Sequence, residues 1–382
     1  MATATATPPQ AVIPFHGAAR EAQEPWADVT VTPSANVQSV LQGAAQSIPA
    51  DGYLRAIWIE VSGSGGTGNT LASSGLDYPF NVIESVMLHD VNGNPLIGPL
   101  SGYQLFLANY LGGYMFNGDV RQWYGFSADK DNPAFAIRVP IEVNRQSGFG
   151  ALANQSASAN YRVKINLSPS SDVWSVVGTA PDLRFRVAME VWKQPNATDV
   201  MGRPQQTQPP AHGTTQYWSV QTQNINAGFQ SFDLTRMGNV IRNWIFVLRD
   251  SSGDRVTDAN LPDPLAIDWD ARAFINESLS MYKNRQIEGY TDREVAPERG
   301  VVSYSWDRTG LGHVGGGSAA MYLPTVQATR MTVKGTFPAA GTLEIITNDI
   351  APYESNPAYK FSEGSATGFN PQVGTAIPGG GA

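Results

Sequence analysis

Strict alternation of apolar and polar residues marks two stretches in the first half of the chain. In residues 161–167, YRVKINL, every second residue is apolar, and residues 183–192, LRFRVAMEVW, repeat the pattern with Arg184, Arg186 and Glu190 between the apolar positions. Because successive side chains of a strand point to opposite faces, both stretches predict strands that are buried on one face and exposed on the other.

The C-terminal part of the chain repeats this arrangement. Met331, Val333 and Phe337 alternate with polar residues, and the turn from Pro338 to Gly341 leads into a second apolar run. The pattern predicts that each half of the chain ends in a pair of strands.

Two further stretches each begin with a run rich in apolar residues and end in a polar turn. They are IRNWIFVLRDSSGDR, residues 241–255, and LRAIWIEVSGSGG, residues 54–66, each with an arginine near its start and a glycine-containing turn at its end. Alternation puts apolar residues on both faces, which is typical of strands buried on both sides. The predicted faces are Val240, Trp244, Phe246 and Leu248 against Ile241, Ile245 and Val247 in the later run, and Tyr53, Ile57, Ile59 and Val61 against Leu54, Ala56 and Trp58 in the earlier run.

The two runs can be aligned in two ways. Aligning Arg55 with Arg242 puts Trp58 opposite Ile245. Aligning Trp58 with Trp244 displaces the arginines by one residue, and such a slip exchanges the faces of a strand. The order of elements in the two halves is more informative, because it predicts two antiparallel β-sandwiches of one design. We expect Trp58 and Trp244 to serve the two cores.

Helical patterns are few. Residues 100–113, LSGYQLFLANYLGG, combine Ser101 as a candidate N-cap with apolar residues at helical spacing and a Gly-Gly stop. Residues 276–290, NESLSMYKNRQIEGY, offer Asn276 or Ser278 as a cap and Gly289 as a stop. The sequence therefore predicts one short helix in each half.

Chain length indicates two domains, with one domain carrying long insertions as the alternative, because 382 residues exceed the roughly 250 over which one core usually keeps growing. We predict a flexible N-terminal arm over residues 1–30 and domains over residues 31–195 and 216–355. A Pro- and Gln-rich linker is predicted over residues 196–215, and a Gly/Pro-rich tail over residues 356–382.

Composition and charge narrow the classes of partner. Charged residues form only 15% of the chain, against about 25% in average globular domains, which together with 38 Gly and 26 Pro favours β-structure with many turns. The formal net charge is −8, and the arm holds Arg20 against Glu21, Glu24 and Asp28. An arm that coats phosphates would need clustered Lys and Arg, so direct binding of nucleic acid is not expected.

The chain has no cysteine, which excludes disulfides, thiol nucleophiles and cysteine-ligated zinc. The first residues lack the basic start of a secretory signal, and no stretch approaches the roughly 18 apolar residues of a membrane-spanning helix, so we expect a soluble, folded protein. Val12, Ile13, Phe15 and Trp26 in the arm could face lipid or could be scattered apolar residues of a disordered tail.

Residues 84–109, ESVMLHDVNGNPLIGPLSGYQLFLAN, carry a resemblance to a known family. They combine an apolar strand ending at Asp90, a turn over residues 92–94 and a Ser-Gly-aromatic entry into a helix over residues 101–103. In the second half, RNWIFVLRDSSGDR and FINESLSMYKNRQIEGY follow the same order of strand, turn, strand and helix. Residues 30–355 resemble, in order and size, the double jelly-roll major capsid proteins of tailless, membrane-containing icosahedral viruses, most closely those of tectiviruses.

This resemblance implies an all-β protein made of two eight-stranded antiparallel jelly rolls side by side, with a few short helices. It implies a structural, non-enzymatic major capsid protein of a bacteriophage that forms homotrimers. These would pack as pseudo-hexagonal capsomers into an icosahedral shell over an internal membrane and contact vertex (penton) and minor capsid proteins. No cofactor and no direct nucleic-acid contact are implied, and the implied location is the virion, after assembly in the host cytoplasm.

Residues that could carry chemistry are dispersed. The four histidines are His16, His89, His212 and His313. A jelly-roll metal site would need such ligands on neighbouring strands, so none is predicted. Asp268 and Asp270 fall on one predicted strand face, but glycosidase chemistry needs two carboxyls facing each other across a substrate. A solvated or salt-bridged face is the simpler interpretation.

Two other sequence motifs are interpreted as structural. The Gly-rich stretches over residues 62–70 and 313–320 lack the Lys-Ser/Thr of a phosphate-binding loop, and we expect turns or interface loops there. Four tripeptides match the glycosylation pattern, at Asn154, Asn166, Asn196 and Asn276. They are interpreted as incidental, because no secretory signal is expected. No catalytic, cofactor or metal residue is predicted.

Two other functions remain open at this point. Nine Trp and fourteen Tyr residues, together with the Asp268/Asp270 pair, would also suit a carbohydrate-binding or glycan-processing double β-sandwich. A viral spike or fibre domain would also be a trimer but would form no hexagonal capsomer.

Overall fold

The structure is a computed structural model that describes residues 12–41, 45–72, 75–115, 119–145, 147–210, 214–290, 298–306 and 322–351. The strands of the first half are β1 (Arg20–Val31), β2 (Gln38–Ser39), β3 (Gln46–Ser47), β4 (Tyr53–Ser64), β5 (Thr70–Leu71), β6 (Ile83–His89), β7 (Pro95–Leu100), β8 (Ala134–Pro140), β9 (Leu152–Ala153), β10 (Arg162–Leu167), β11 (Trp174–Val176) and β12 (Asp182–Lys193). Those of the second half are β13 (Thr215–Ile225), β14 (Gly228–Asp233), β15 (Val240–Asp250), β16 (Leu265–Trp269), β17 (Arg272–Glu277), β18 (Val301–Ser305), β19 (Leu323–Pro324), β20 (Met331–Phe337) and β21 (Gly341–Ala351). The α-helices are α1 (Phe15–Ala18), α2 (Gly102–Leu111), α3 (Ser170–Val173) and α4 (Leu279–Tyr290).

Each half folds into two antiparallel sheets with one shared strand order. In the first half the orders are β1-β12-β4-β8 and β7-β6-β10-β2, and in the second half they are β13-β21-β15-β18 and β14-β20-β16-β17. When the eight principal strands of each half are lettered B to I along the chain, both halves read B-I-D-G and C-H-E-F. This is the connectivity of a jelly roll, so the predicted pair of antiparallel eight-stranded rolls is confirmed.

The two rolls share a sheet and a helix. A parallel pairing of β7 with β13, through Ile97 and Trp218, joins the C-H-E-F sheet of the first roll to the B-I-D-G sheet of the second. Every residue of α2 is buried. Trp218, Ile245 and Ile346 of the second roll belong to the hydrophobic cluster of the first roll, so the outer face of the second roll's B-I-D-G sheet is covered.

The two apolar runs noted in the sequence are the D strands β4 and β15, and each contains the same irregularity. In β4, Leu54 pairs with Val191 and Ala56 with Glu190, which leaves Arg55 as an extra residue. In β15, Ile241 pairs with Asp349 and Asn243 with Asn348, which leaves Arg242 as the extra residue. An extra residue of this kind is a β-bulge, so the two arginines occupy equivalent positions.

The bulges change which residues face the cores. Simple alternation put Leu54 and Ile241 on the faces opposite Ile57 and Trp244, but both belong to the same cluster as those residues. Trp244 is fully buried in the second roll's core, as expected. The expectation for Trp58 is wrong, because its side chain is only partly buried and contacts Trp123 on the outer face of the first roll.

The closing strands of each half exist as predicted but do not pair with each other. β10 and β12 lie in different sheets of the first roll, and β20 and β21 lie in different sheets of the second. The turn between the last two strands therefore crosses from one sheet to the other. Glu190 is 8% exposed although alternation placed it on a solvent face, because other charged side chains cover it at this end of β12.

Both predicted helices are present. Ser101 caps α2, since its hydroxyl accepts from Gln104 N while the Gln104 side chain accepts from Ser101 N, and the helix ends at Gly112. α4 begins after Ser278 and extends to Tyr290, one residue beyond the predicted stop at Gly289. Within the residues described above, no helix is long and apolar enough to cross a membrane.

The prediction of a flexible arm over residues 1–30 is wrong for the part of it that the structure describes, residues 12–30. Residues 20–31 form β1, which pairs along its length with β12. Upstream of β1, Ile13 N donates to Pro204 O over 2.9 Å and Gln206 N donates to Ile13 O over 2.9 Å, so this segment is joined to the connection between the rolls. The tail over residues 356–382 lies outside the described residues.

Phe15 anchors this segment. Its side chain is fully buried, with ring centroids 5.5 Å from Tyr53 and 5.9 Å from Trp192, so this chain itself covers it and it does not face lipid. Trp26 packs partly against the first core, Ile13 is partly buried, and Val12 remains 53% exposed.

Replacing Phe15 with alanine should release the segment upstream of β1, because loss of a buried aromatic ring costs about 3–5 kcal/mol. Hydrogen exchange of residues 12–19 should become fast in the variant. Val12→Ala is the matched control, since its side chain is half exposed, and exchange should then stay slow. Unchanged protection after Phe15→Ala would contradict the anchoring role.

Candidate functional site at the junction of the two rolls

Four charged side chains form a buried ion-pair cluster in the first roll: Arg55, Arg138, Glu142 and Glu190. Arg55 Nε lies 3.0 and 2.9 Å from the two carboxylate oxygens of Glu142, and Arg138 Nη2 donates to Glu142 Oε1 over 2.9 Å. Arg138 Nε donates to Glu190 Oε2 over 3.0 Å, and Arg55 Nη1 lies 3.3 Å from Glu190 Oε1. Two guanidiniums and two carboxylates thus neutralise one another away from water.

The surroundings of the ion-pair cluster set its protonation. Complete burial raises the pKa of Glu142, although Arg138 and Arg55 oppose that shift. Burial also acts to raise the pKa of Glu190, but the guanidiniums of Arg138 and Arg55 outweigh it and hold this pKa below its ordinary value. Burial, followed by repulsion from Arg138, lowers the pKa of the neighbouring Arg145 to about 10. Each carboxylate of the ion-pair cluster lies within 3.3 Å of guanidinium nitrogens of both Arg55 and Arg138.

A second buried network connects the rolls directly. Arg242 Nη2 donates to Gly112 O, at the C-terminal end of α2, over 2.7 Å, and Arg242 Nη1 donates to Tyr114 Oη over 3.2 Å. Gln216 Nε2 lies 2.9 Å from Tyr114 Oη, and Asn348 Nδ2 donates to Gln216 Oε1 over 3.1 Å. A cation at the C-terminal end of a helix is also favoured by the helix dipole. Arg242 therefore fixes α2 of the first roll against the second roll.

The two equivalent arginines, Arg55 and Arg242, make different kinds of contact. Arg55 faces Glu190 and Glu142 within its own roll, whereas at the position of Glu190 the second roll has Asn348, which is neutral. The guanidinium of Arg242 lies 3.4 Å from Asn348 Oδ1 and donates to a backbone carbonyl and a hydroxyl group of the first roll. The bulge at Arg55 therefore stabilises the first roll internally, whereas the equivalent bulge at Arg242 attaches the second roll to the first.

A polar cleft of about 400 Å³ lies beside this junction, between the two rolls. Its acidic lining residues are Asp77, Glu84, Asp172, Asp254 and Glu344. Arg249 lies 2.7 Å from both Asp77 and Glu344, so part of this charge is neutralised. In the part of the chain that the structure describes, no three His, Cys, Asp or Glu side chains are grouped to hold a metal ion.

The carboxylates singled out in the sequence do not form a catalytic pair. Asp268 lies on β16 and accepts from Lys334 Nζ over 2.6 Å. Asp270 lies beyond the end of β16, in the turn to β17 with φ of 45°, and accepts from the backbone N–H of Thr329 and Arg330. The expectation that both share one strand face is wrong, because the turn redirects the second carboxylate. The ion pair of Asp268 supports the structural interpretation.

The remaining candidates are also separated. His16 is exposed on α1 and His89 ends β6, whereas His212, His313 and the loop over residues 313–320 lie outside the described residues. Asn154 and Asn166 are buried and donate to Pro49 O and Ser85 Oγ, which would obstruct a glycan, and Asn196 and Asn276 are exposed. The loop over residues 62–70 ends β4 and leads into β5, and its Gly65 and Gly68 adopt φ of 76° and 70°.

Sequence reasoning missed the partners of the two D-strand arginines. The only available signal was an arginine within an otherwise apolar run, which demands a buried acceptor. Glu142, Tyr114 and Gln216 carry no such signal, because ordinary loop or strand residues surround them in the sequence.

Comparisons with known proteins give the fold a wider context. No family model and no curated protein matches this chain. Among solved structures, the major capsid protein of Sulfolobus turreted icosahedral virus superimposes with a TM-score of 0.60 at 13% identity, covering 88% of this chain and 98% of that one. The major capsid protein P2 of bacteriophage PM2 gives a TM-score of 0.54 at 12% identity, with 87% and 97% covered.

The capsid of the virus PBCV-1 gives a further match, with a TM-score of 0.54 at 12% identity and 87% and 94% of the two chains covered. At identities this low, the superpositions show a common fold and nothing more. They extend over nearly the full length of all three proteins. The chain therefore has the double jelly-roll fold of viral major capsid proteins.

Proposed function

We propose that this chain is a major capsid protein, a structural protein that builds the shell of an icosahedral virion. The observation that supports this most is the superposition over 98% and 97% of two viral major capsid proteins, because the match includes both rolls and their connection. The buried charges at the junction serve cohesion of the fold, which agrees with a non-enzymatic role.

We further propose a homotrimer, and the support is an asymmetry between the rolls. The first roll covers the outer face of the second roll's B-I-D-G sheet at Ile245 and Ile346. Counted from the bulges, the equivalent positions of the first roll are Trp58 and Ala188, which pair with each other and remain partly exposed. A second copy that placed its own second roll on this face would repeat the internal contact between chains.

Repetition of this contact joins unlike surfaces, and such a contact closes into a ring when the rotation permits. A ring of six rolls contains three chains and has a pseudo-hexagonal outline. The division of the chain at residues 196–215 into two domains belongs to this proposal, because each domain then supplies one of the six corners of the capsomer.

We also propose the more specific properties of the virus that the resemblance implies. They are a bacteriophage host, an internal membrane under the shell, contacts with vertex and minor capsid proteins, and assembly in the host cytoplasm. Among the described residues before β1, Val12 is a large apolar residue that stays half exposed, so lipid contact by this segment would involve it in preference to Phe15.

The trimer is tested by changing its contact face. Ala188→Arg adds a large charged side chain beside Trp58, where the neighbouring chain would pack, and should give monomers at concentrations where the unchanged protein has three times the 41.1 kDa chain mass by native mass spectrometry. Ala157→Arg, on an exposed turn, is the matched control and should stay trimeric. A monomeric unchanged protein, or a trimeric Ala188→Arg variant, would refute this arrangement.

A further inference from the structure

β14 is an edge strand, and in the part of the chain that the structure describes no other strand pairs with its far side, where only Asp233 O at its end accepts from Gln221 Nε2 over 2.6 Å. It pairs with β20 alone, from Gly228 opposite Phe337 to Asp233 opposite Thr332. The pairing runs over all six residues without a bulge, so the edge is straight. An unpaired straight edge presents a row of N–H and C=O groups to other chains.

Two other edge strands carry features that interrupt a long, straight pairing. β1 has Pro25 and an irregularity next to it, and β17 has a bulge of its own at Phe274 together with Arg272 at its start. β14 contains no Lys, Arg or Pro, and Phe229 at its second position is 66% exposed. Natural proteins usually protect an edge of this kind with lysines, prolines or bulges. Because β14 has no such protection, we infer that another strand pairs with it.

The position of β14 within its sheet suggests where that partner lies. At the other end of the same sheet is β17, the F strand of the second roll, and the F strand of the first roll is the one that joins the neighbouring roll through β13. In the proposed trimer β17 therefore faces the ring and β14 faces outward. This step rests on the proposed function.

We propose that β14 pairs antiparallel with β14 of a second copy of this chain in a neighbouring trimer, about a two-fold axis at Gln230. Residues opposite each other then point to the same face of the joined sheet, so Phe229 lies over Ser231 of the second copy and Phe232 over Gly228 of the second copy. Large side chains are matched with small ones.

Charge also permits this register. Asp233 is the single charged residue of β14, and Arg330 Nε already lies 2.7 Å from its carboxylate. With the axis at Gln230, Asp233 falls opposite Ala227 of the second copy, so no like charges face each other. The contact is isologous, as is usual for two-fold pairs.

The absence of cysteine from the chain makes a direct test available. Gln230→Cys should give disulfide-linked dimers on mild oxidation of assembled protein, because residues opposite each other on antiparallel strands have Cα atoms about 4.5–5.5 Å apart, within disulfide range. Ser231→Cys, its exposed neighbour, would be diagonal to its own copy at about 7–8 Å and should cross-link at least about ten-fold more slowly. Equal rates, or faster linkage of Ser231→Cys, would overturn the proposal.

A second variant separates this inference from the trimer. Phe229→Lys puts a charge on the edge without removing a buried side chain, so its mass by analytical ultracentrifugation should remain that of a trimer while association between trimers falls by about ten-fold or more. Val200→Lys changes another exposed apolar residue and should assemble normally. Normal assembly of Phe229→Lys would refute the β14 contact. If the unchanged protein proved monomeric yet Gln230→Cys still cross-linked selectively, the trimer would fail and the β14 contact would stand.

Discussion

Replacing Glu142 with alanine should lower the free energy of unfolding by about 3–5 kcal/mol, the usual cost of removing one partner from a buried ion pair. The carboxylate lies between Arg55 and Arg138 and also accepts from Trp192 Nε1 over 3.2 Å. Without it, two buried guanidiniums keep only Glu190 as a close buried carboxylate. Urea denaturation followed by tryptophan fluorescence measures the change.

Glu60→Ala provides the matched control for this prediction. Glu60 also pairs with an arginine, Arg186, but both side chains are about half exposed, so water screens the pair and its loss should cost at most about 1 kcal/mol. The role given to the ion-pair cluster would be wrong if the two alanine variants were equally stable.

Replacing Arg242 with methionine should cost about 3 kcal/mol, because hydrogen bonds from a buried charged donor contribute about 1.5–3 kcal/mol and the substitution leaves their acceptors unpaired. Two of the acceptors, Gly112 O and Tyr114 Oη, lie in the first roll, and Asn348 Oδ1 of the second roll lies 3.4 Å from Arg242 Nη1. We expect amide exchange at the C-terminal end of α2 to accelerate in this variant. That readout distinguishes a weakened attachment between rolls from a general loss of stability.

Arg330→Met is the corresponding control. Arg330 forms an exposed ion pair with Asp233. Its replacement should change the free energy of unfolding by at most about 1 kcal/mol and leave amide exchange in α2 unchanged. Slow exchange in α2 after Arg242→Met would show that packing alone holds the rolls together.

The sequence predicted what depends on neighbouring residues. Alternation located β10 and β12, and the Ser101 cap and the Gly-Gly stop located α2, because strand faces and helix ends are determined within a few residues. The burial of both faces of β15 could also be predicted, because the sequence places apolar residues on both faces of the strand.

Features that depend on distant residues could not be predicted in this way. The bulges at Arg55 and Arg242 are defined by the register of β12 and β21, more than a hundred residues further along the chain, so simple alternation assigned Leu54 and Ile241 to the wrong faces. Glu190 looked like a solvent-facing residue because its buried partners, Arg55 and Arg138, are remote in sequence. Trp58 was assigned to a core because aromatic residues in apolar strands usually lie there.

The complete burial of α2 between the rolls has a consequence for synthesis. The helix leaves the ribosome early, whereas Glu298 and Glu344, which accept hydrogen bonds from Tyr103 and Gln104 of the helix, follow much later, and Glu344 lies on β21, the last strand that the structure describes. The first roll therefore cannot reach its native packing while the chain is still growing. Until translation of β21 is finished, nascent chains expose an apolar helix to neighbouring nascent chains, and this interval is when aggregation competes most strongly with folding.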